Sequence, residues 1–107
     1  MAMMEISVVP VGTDSPSVSR FVAGAVKILQ DEPGIRFQLT PMGTVVEGDL
    51  ARLFSLAQRM HGSVFEAGAI RVVTTIKIDD RRDKPLTIEG KVRAVSERIG
   101  RVGSVGP

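Results

Sequence analysis

The sequence contains no cysteine, tryptophan or tyrosine, and phenylalanine, with four residues, is the only one of the three large aromatic types present. The lack of cysteine excludes disulfides, thiolate nucleophiles and cysteine-ligated metal sites. The shortage of aromatic rings argues against nucleic-acid modules that stack bases on exposed aromatic side chains. No apolar run approaches the ~20 residues of a membrane span, and no charged-then-apolar leader opens the chain, so we expect a cytoplasmic protein.

The composition is that of an ordinary globular domain. The 107 residues are 43% hydrophobic and 24% charged, which is enough apolar material for one core and argues against disorder. The formal net charge is only +2, and the basic residues are mixed with acidic ones and are not gathered in one stripe. A single basic surface for nucleic acid is therefore not indicated.

The most informative segment is Leu39–Asp49, which reads as a β-hairpin running directly into a helix. Pro41 and Gly43 are typical turn residues, because one presets φ and the other leaves room for a tight reversal. The preceding residues 35–40 alternate apolar and polar, as a half-buried strand does, and residues 44–47 form the return strand. Asp49 is placed to cap the following helix.

The remaining elements surround this hairpin. Residues 5–11 predict a strand, Ser15 and Pro16 predict the N-cap and first position of a helix, and residues 49 to about 67 predict a second amphipathic helix. Residues 70–79 form the longest strand signal, and Thr87 caps a third helix over 88–99. Residues 1–99 are thus expected to form one domain, followed by a flexible tail over 100–107.

This β-α-β-β-α-β order predicts an α+β, ferredoxin-like fold with an added C-terminal helix. Its antiparallel sheet has four strands and carries both main helices on one face. Alternation along the strands assigns residues such as Ile6, Val8 and Val46 to the helix-covered face. The same alternation assigns a mixture of valines, hydroxyls and charges to the open face: Ser7, Val9, Val11, Arg36, Gln38, Thr40, Val45, Glu47, Arg71, Val73, Thr75 and Lys77.

The mixed composition of the open face is typical of an interface with a second copy of the chain. The alternative is a solvated sheet with scattered valines, since exposed apolar residues are common. The hairpin register also predicts a cross-strand pair between Arg36 and Glu47.

Four residues of the hairpin segment suit a small planar ligand: Thr40, Met42, Thr44 and Glu47. Glu47 could accept a hydrogen bond from an exocyclic amine or pair with a protonated ring nitrogen, and Met42 could lie on a ring face. The alternative interpretation is that Glu47 pairs with Arg36 or Lys77, while Met42 fills a contact between subunits.

Catalytic groups are scarce, and we predict no catalytic residue, metal site or cofactor. The single histidine, His61, is more consistent with a packed structural residue than with a general base. Residues 12–16 could receive an anion but fit a capped turn better. The charged run 79–84 could bind a metal or a phosphate, although a self-paired surface loop is the simpler interpretation.

Five segments together resemble the thiamine-binding protein family: Ser7–Thr13, Leu39–Gly48, Arg59–His61, Val64–Phe65 and Thr74–Asp83. The resemblance covers about residues 5–99. It implies a ferredoxin-like fold, assembly into homodimers or homotetramers through the sheets, and binding of thiamine or its hydroxymethylpyrimidine half without turnover. Thr40, Met42, Thr44 and Glu47 lie in the matching hairpin, and Thr75 and Lys77 on a neighbouring strand are secondary candidates.

Two functions therefore follow from the sequence. The first is a non-catalytic, homo-oligomeric binding protein for thiamine or its pyrimidine half. The second is a structural or protein-interaction oligomer without a small-molecule ligand, in which the hairpin supplies only subunit contacts.

Overall fold

The computed structural model describes residues 1–100. Its seven elements follow the predicted order: β1 (Ala2–Pro10), α1 (Ser19–Gln30), β2 (Arg36–Thr40), β3 (Gly43–Gly48), α2 (Leu50–Glu66), β4 (Val72–Asp80) and α3 (Ile88–Ile99). The ferredoxin-like fold with a C-terminal helix is therefore confirmed. The predicted tail lies outside the described residues except for Gly100, which ends α3 with a φ of 80°.

The four strands form one antiparallel sheet in the order β2-β3-β1-β4. The central strand β1 pairs with β3 from Ala2–Gly48 to Ile6–Thr44, and with β4 from Ala2–Asp80 to Pro10–Val72. The predicted hairpin register is confirmed, because Arg36 lies opposite Glu47.

The core lies between the sheet and the two helices α1 and α2. Met4, Ile6, Leu53 and Val46 are at most 2% exposed, because alternate strand residues and one helix stripe point into the same layer. Within residues 1–100, no helix combines the length and the apolar character needed to cross a membrane.

The first helix begins later than the sequence predicts. Ser15 is not its N-cap: the helix starts at Ser19 after Val18, and no side chain caps it. The Ser15 hydroxyl instead accepts a hydrogen bond from the Ser17 backbone N–H at 3.1 Å. Short hydroxyl side chains form such local turns readily, and this turn competes with the predicted cap.

Not every side chain on the helix-facing side of the sheet is buried. Leu39 and Ile76 belong to the helix-facing side of the two edge strands but are 58% and 41% exposed. On α2, Phe54 is 53% exposed, whereas Leu56 is buried. The helices cover the centre of the sheet more fully than its edges, and a sequence pattern does not show where that cover ends.

Candidate functional site

A small cavity lies beside the hairpin turn, on the helix-covered side of the sheet. It has a volume of about 160 Å³. Its walls come from the hairpin residues 39–44, from β1 and from residues 18–26 at and after the start of α1, and Met60 of α2 lines it as well. Three of the predicted ligand residues are brought together here: Thr40, Met42 and Thr44.

The hydroxyl of Thr40 holds the turn that shapes this cavity. It donates to the carbonyl oxygen of Gly43 at 2.8 Å and accepts from the backbone N–H groups of Gly43 at 3.1 Å and Met42 at 3.3 Å. A side chain at position 43 would meet a neighbouring strand, since an added Cβ would lie 3.1 Å from the Ile6 carbonyl oxygen. Thr40 and Gly43 therefore fix the backbone of the turn.

Thr44 and Met42 line the cavity in different ways. Thr44 points to the helix-covered side and is only 2% exposed, whereas Met42 is 85% exposed at the tip of the turn. A buried hydroxyl can orient a polar ligand atom, and a flexible thioether can adapt to the flat face of a ring. This part of the predicted site is suited to a small, mostly apolar ring.

Glu47 lies on the other face of the sheet, away from the cavity. Its side chain is 2% exposed, and one carboxylate oxygen accepts a hydrogen bond at 2.7 Å from the backbone N–H of Ile88, the first residue of α3. The other oxygen lies 3.7 Å from Nε of Arg36. Arg36 in turn forms an ion pair with Glu89, so these charged groups join the N-terminus of α3 to the sheet.

The secondary candidates Thr75 and Lys77 also lie on the open face, both exposed. Thr75 is opposite Ser7, and Lys77 is opposite Glu5, with 3.8 Å between the Lys77 ammonium and the Glu5 carboxylate. The structure therefore divides the six predicted residues into two groups. Three line the cavity, and Glu47, Thr75 and Lys77 lie on the opposite side of the sheet.

The other candidate groups are engaged in structural contacts. His61 Nδ1 lies 2.7 Å from the Thr74 hydroxyl, and its ring meets Phe65 edge-on with 5.5 Å between centroids. In the charged loop, Arg81 binds both carboxylate oxygens of Asp83, at 2.5 and 2.8 Å. This pairing lowers the pKa of the Asp83 carboxyl and raises that of Arg81.

Sequence reasoning missed the contribution of α1 to the cavity. Val22 and Val26 line it from one face of the helix, and Val18, the residue before α1, continues their four-residue spacing. Their spacing was visible in the sequence but indicates only a buried face. Nothing in the pattern distinguishes a valine that fills the core from one that borders an empty volume.

Three comparisons place the chain among known proteins. The family model described as thiamine-binding protein matches residues 4–96. The chain is 46% identical over 102 residues to the UPF0045 protein YqgV of Bacillus subtilis, an alignment covering 92% of this chain and 98% of the relative. The solved structure of the hypothetical protein MJ1052 of Methanocaldococcus jannaschii is similar with a TM-score of 0.82 and 35% identity, covering 90% of this chain and 96% of that one. A domain of unknown function from Bacillus cereus superposes with a TM-score of 0.74 at 34% identity, over 85% of this chain and 86% of that chain.

Proposed function

Because the chain belongs to the thiamine-binding protein family, we propose that it binds thiamine or the hydroxymethylpyrimidine half of thiamine and releases it unchanged. The observation that carries this proposal is the position of the cavity. It lies at the hairpin turn, within the residues that match the family model. Thr40 shapes the turn, while Thr44 and Met42 contact the ligand.

The proposal includes assembly into a homodimer or homotetramer through the sheets. The open face of the sheet exposes Val9 and Val73 to 43% and 48%. Helix α3 adds Val92, Val95 and Ile99, all exposed. A second copy packed over this surface would remove that apolar area from water, which favours association. Thr75, Lys77 and the exposed Arg36 then belong to the subunit contact.

A protein-interaction oligomer without a ligand is the second candidate. It is favoured by the same exposed apolar side chains on α3 and the open face, which would be buried by association whether or not the cavity holds a ligand. The two candidates differ in what the cavity does, and ligand titration separates them.

The first test is calorimetric titration with thiamine and with hydroxymethylpyrimidine. Val22→Phe should fill the cavity and weaken binding about tenfold or more. Ala23→Phe is the matched control, because Ala23 is the exposed neighbour on α1 and does not line the cavity. Saturable binding lost only in the first variant supports the proposal, while an absence of binding by the parent protein favours the second candidate.

The second test concerns assembly. Val95→Asp places a charge in the exposed apolar stripe of α3, where Val95 is 60% exposed. The subunit should fold as before, because this side chain is not part of the core. The oligomer should be weaker, so that the variant is still dissociated at protein concentrations at which the parent has assembled. Sedimentation velocity would measure this, and a parent protein that remains monomeric at micromolar concentration would contradict the proposed assembly.

The third test asks whether the protein converts thiamine chemically. The parent and His61→Ala would be incubated with thiamine, and the products analysed by mass spectrometry. We expect unchanged thiamine with both. A product formed by the parent and lost in the variant would contradict the non-catalytic assignment.

A further inference from the structure

The central strand β1 continues beyond its partner β3 at the end that borders the cavity. The β1–β3 ladder ends at Ile6–Thr44, whereas the β1–β4 ladder continues to Pro10–Val72. The hairpin is simply shorter than its neighbours, with five residues in β2 and six in β3 against nine in β1. Within the described part of the chain, residues 1–100, the last four residues of β1 therefore have no strand on the hairpin side.

The hydrogen bonds of β1 show which of its backbone groups point to the side where the hairpin strand is missing. The N–H of Val11 donates to the carbonyl oxygen of Arg71 at 2.9 Å, on the β4 side. Because backbone groups alternate between the two sides of a strand, Val9 also faces β4 and Val8 faces the hairpin side. The Ile6 carbonyl, 3.1 Å from the position of a Cβ on Gly43, confirms that even-numbered residues face β3.

Val8 thus directs an N–H donor and a C=O acceptor, side by side, towards the cavity that it lines. Among residues 1–100 it has no ladder partner on this side. A backbone pair of this kind requires hydrogen-bond partners when it is shielded from bulk water. Pro10, the next residue facing the same way, has no N–H to satisfy.

The volume and lining of the cavity restrict what could supply those partners. About 160 Å³ corresponds to one six-membered ring, since cavities of about 150 Å³ accept benzene, whereas drug-sized ligands occupy about 300 Å³ or more. None of the fifteen lining residues has an ionisable side chain. Burying a fixed positive charge there would be unfavourable, because no carboxylate could pair with it.

We infer that the ligand group held in this cavity is a neutral aminopyrimidine-type ring that pairs with Val8 as a neighbouring strand would. A ring nitrogen accepts from the Val8 N–H, and the adjacent exocyclic amine donates to the Val8 carbonyl. This inference rests on the proposed function and makes it more specific: the pyrimidine half enters the cavity, and a charged thiazolium half stays outside, beyond Met42.

The first experiment compares ligands on the unaltered protein by calorimetry. The probes are thiamine, hydroxymethylpyrimidine, the thiazole alcohol half, and the hydroxymethylpyrimidine analogue in which hydroxyl replaces the amine. We expect the pyrimidine to bind at least as tightly as thiamine and the thiazole not to bind. Loss of the amine should weaken binding about tenfold or more, because it removes the donor to the Val8 carbonyl.

The second experiment locates the ring by amide hydrogen exchange measured by NMR. At saturating hydroxymethylpyrimidine, exchange of the Val8 amide should slow about tenfold or more, because the bound ring occupies its N–H. The Val9 amide is the internal control, since it faces β4 in the free protein and should change little.

The possible results distinguish a failure of this inference from a failure of the proposed function. If thiamine or the pyrimidine binds without slowing exchange at Val8, or if the analogue without the amine binds equally well, this inference is overturned and the proposed function stays intact. The same holds if thiamine and the thiazole bind and the pyrimidine does not. No binding of any probe would overturn both.

Discussion

Helices α2 and α3 both carry an apolar stripe in the sequence, yet they are held in place by different forces. Helix α2 buries five side chains, and no side chain caps its N-terminus. Among residues 1–100, helix α3 buries none, but the Thr87 hydroxyl caps it by accepting from the Gly90 N–H at 3.0 Å. One helix is stabilised by packing, and the other by its N-terminal hydrogen bonds and ion pairs.

This difference matters because a helix of 12 residues is marginal without tertiary packing. The subunit leaves α3 with its apolar stripe exposed, next to an open sheet face that also exposes valines. The exposed stripe of α3 therefore supports the proposed assembly, in which α3 gains from a second copy the packing that α2 has within its own subunit.

The largest expected effect is on the packed helix. Leu53→Ala in α2 should lower the free energy of unfolding by about 2–5 kcal/mol, because Leu53 is 0% exposed and its loss leaves a cavity. Val95→Ala in α3 is the control, and we expect a change within about 0.5 kcal/mol for the dissociated subunit. Urea unfolding at low protein concentration would measure both, and equal effects would remove the distinction between the helices.

The next effect concerns the attachment of α3 to the sheet. Glu47→Ala removes the acceptor of the Ile88 N–H and the partner of Arg36, and should cost about 1.5–3 kcal/mol, as for hydrogen bonds to charged groups. Glu47→Gln keeps an acceptor and should cost less. Amide exchange at Ile88 should accelerate in the alanine variant, and ligand binding at the cavity should be unchanged. Weakened binding in a folded Glu47→Ala variant would return Glu47 to the ligand site.

A smaller effect is expected at the caps. Thr87→Ala should destabilise α3 by about 1 kcal/mol, because the Gly90 N–H loses its acceptor. Asp49→Ala at the N-cap of α2 is the matched control, since the Asp49 side chain makes no capping hydrogen bond. Circular dichroism and exchange of the α3 amides would test this, and equal losses in the two variants would contradict the role of the cap.

The smallest effect is a pH dependence on the α2 side. Hydrogen bonds from Arg59 and Arg52 of α2 lower the pKa of the Glu32 carboxyl, with Arg59 the larger cause. A carboxyl with a lowered folded-state pKa stabilises the fold above its unfolded pKa of about 4.3, and this contribution is lost as the pH falls through the folded value. The free energy of unfolding of Glu32→Gln should therefore fall slightly less than that of the parent when the pH is lowered from neutral to about 3.

The change is measured as the shift in urea midpoint with pH. Glu66→Gln, on the exposed last turn of α2, is the control, because Glu66 forms no ion pair among residues 1–100. An identical pH dependence in the parent and Glu32→Gln would show that these exposed pairs are fully screened by solvent.

Local signals predicted much of the fold. Thr87 and the periodicity after it gave both ends of α3, and Pro41 with Gly43 gave the hairpin and its Arg36–Glu47 register. Ser15 shows where such signals fail. Its cap pattern was real, but the hydroxyl formed a shorter turn instead, and α1 began at Ser19. Two local arrangements of similar stability cannot be distinguished by sequence pattern alone.

The candidate site was predicted only in part, for a related reason. Thr40, Met42 and Thr44 line one cavity because one turn holds them together. Glu47 was grouped with them by proximity in sequence, although alternation along β3 turns it to the face opposite Thr44. Its contact with Ile88 spans 41 positions of the chain, which no local pattern reports.

The sequence by itself determined the elements, their order and the facing of most strand residues, because these depend on side-chain periodicity and turn chemistry. The tertiary structure decided the rest: where β3 ends beside β1, which side of the sheet α3 attaches to, and that a cavity remains at the hairpin. Those features depend on the relative lengths of strands that are distant in the chain and meet only in the folded sheet.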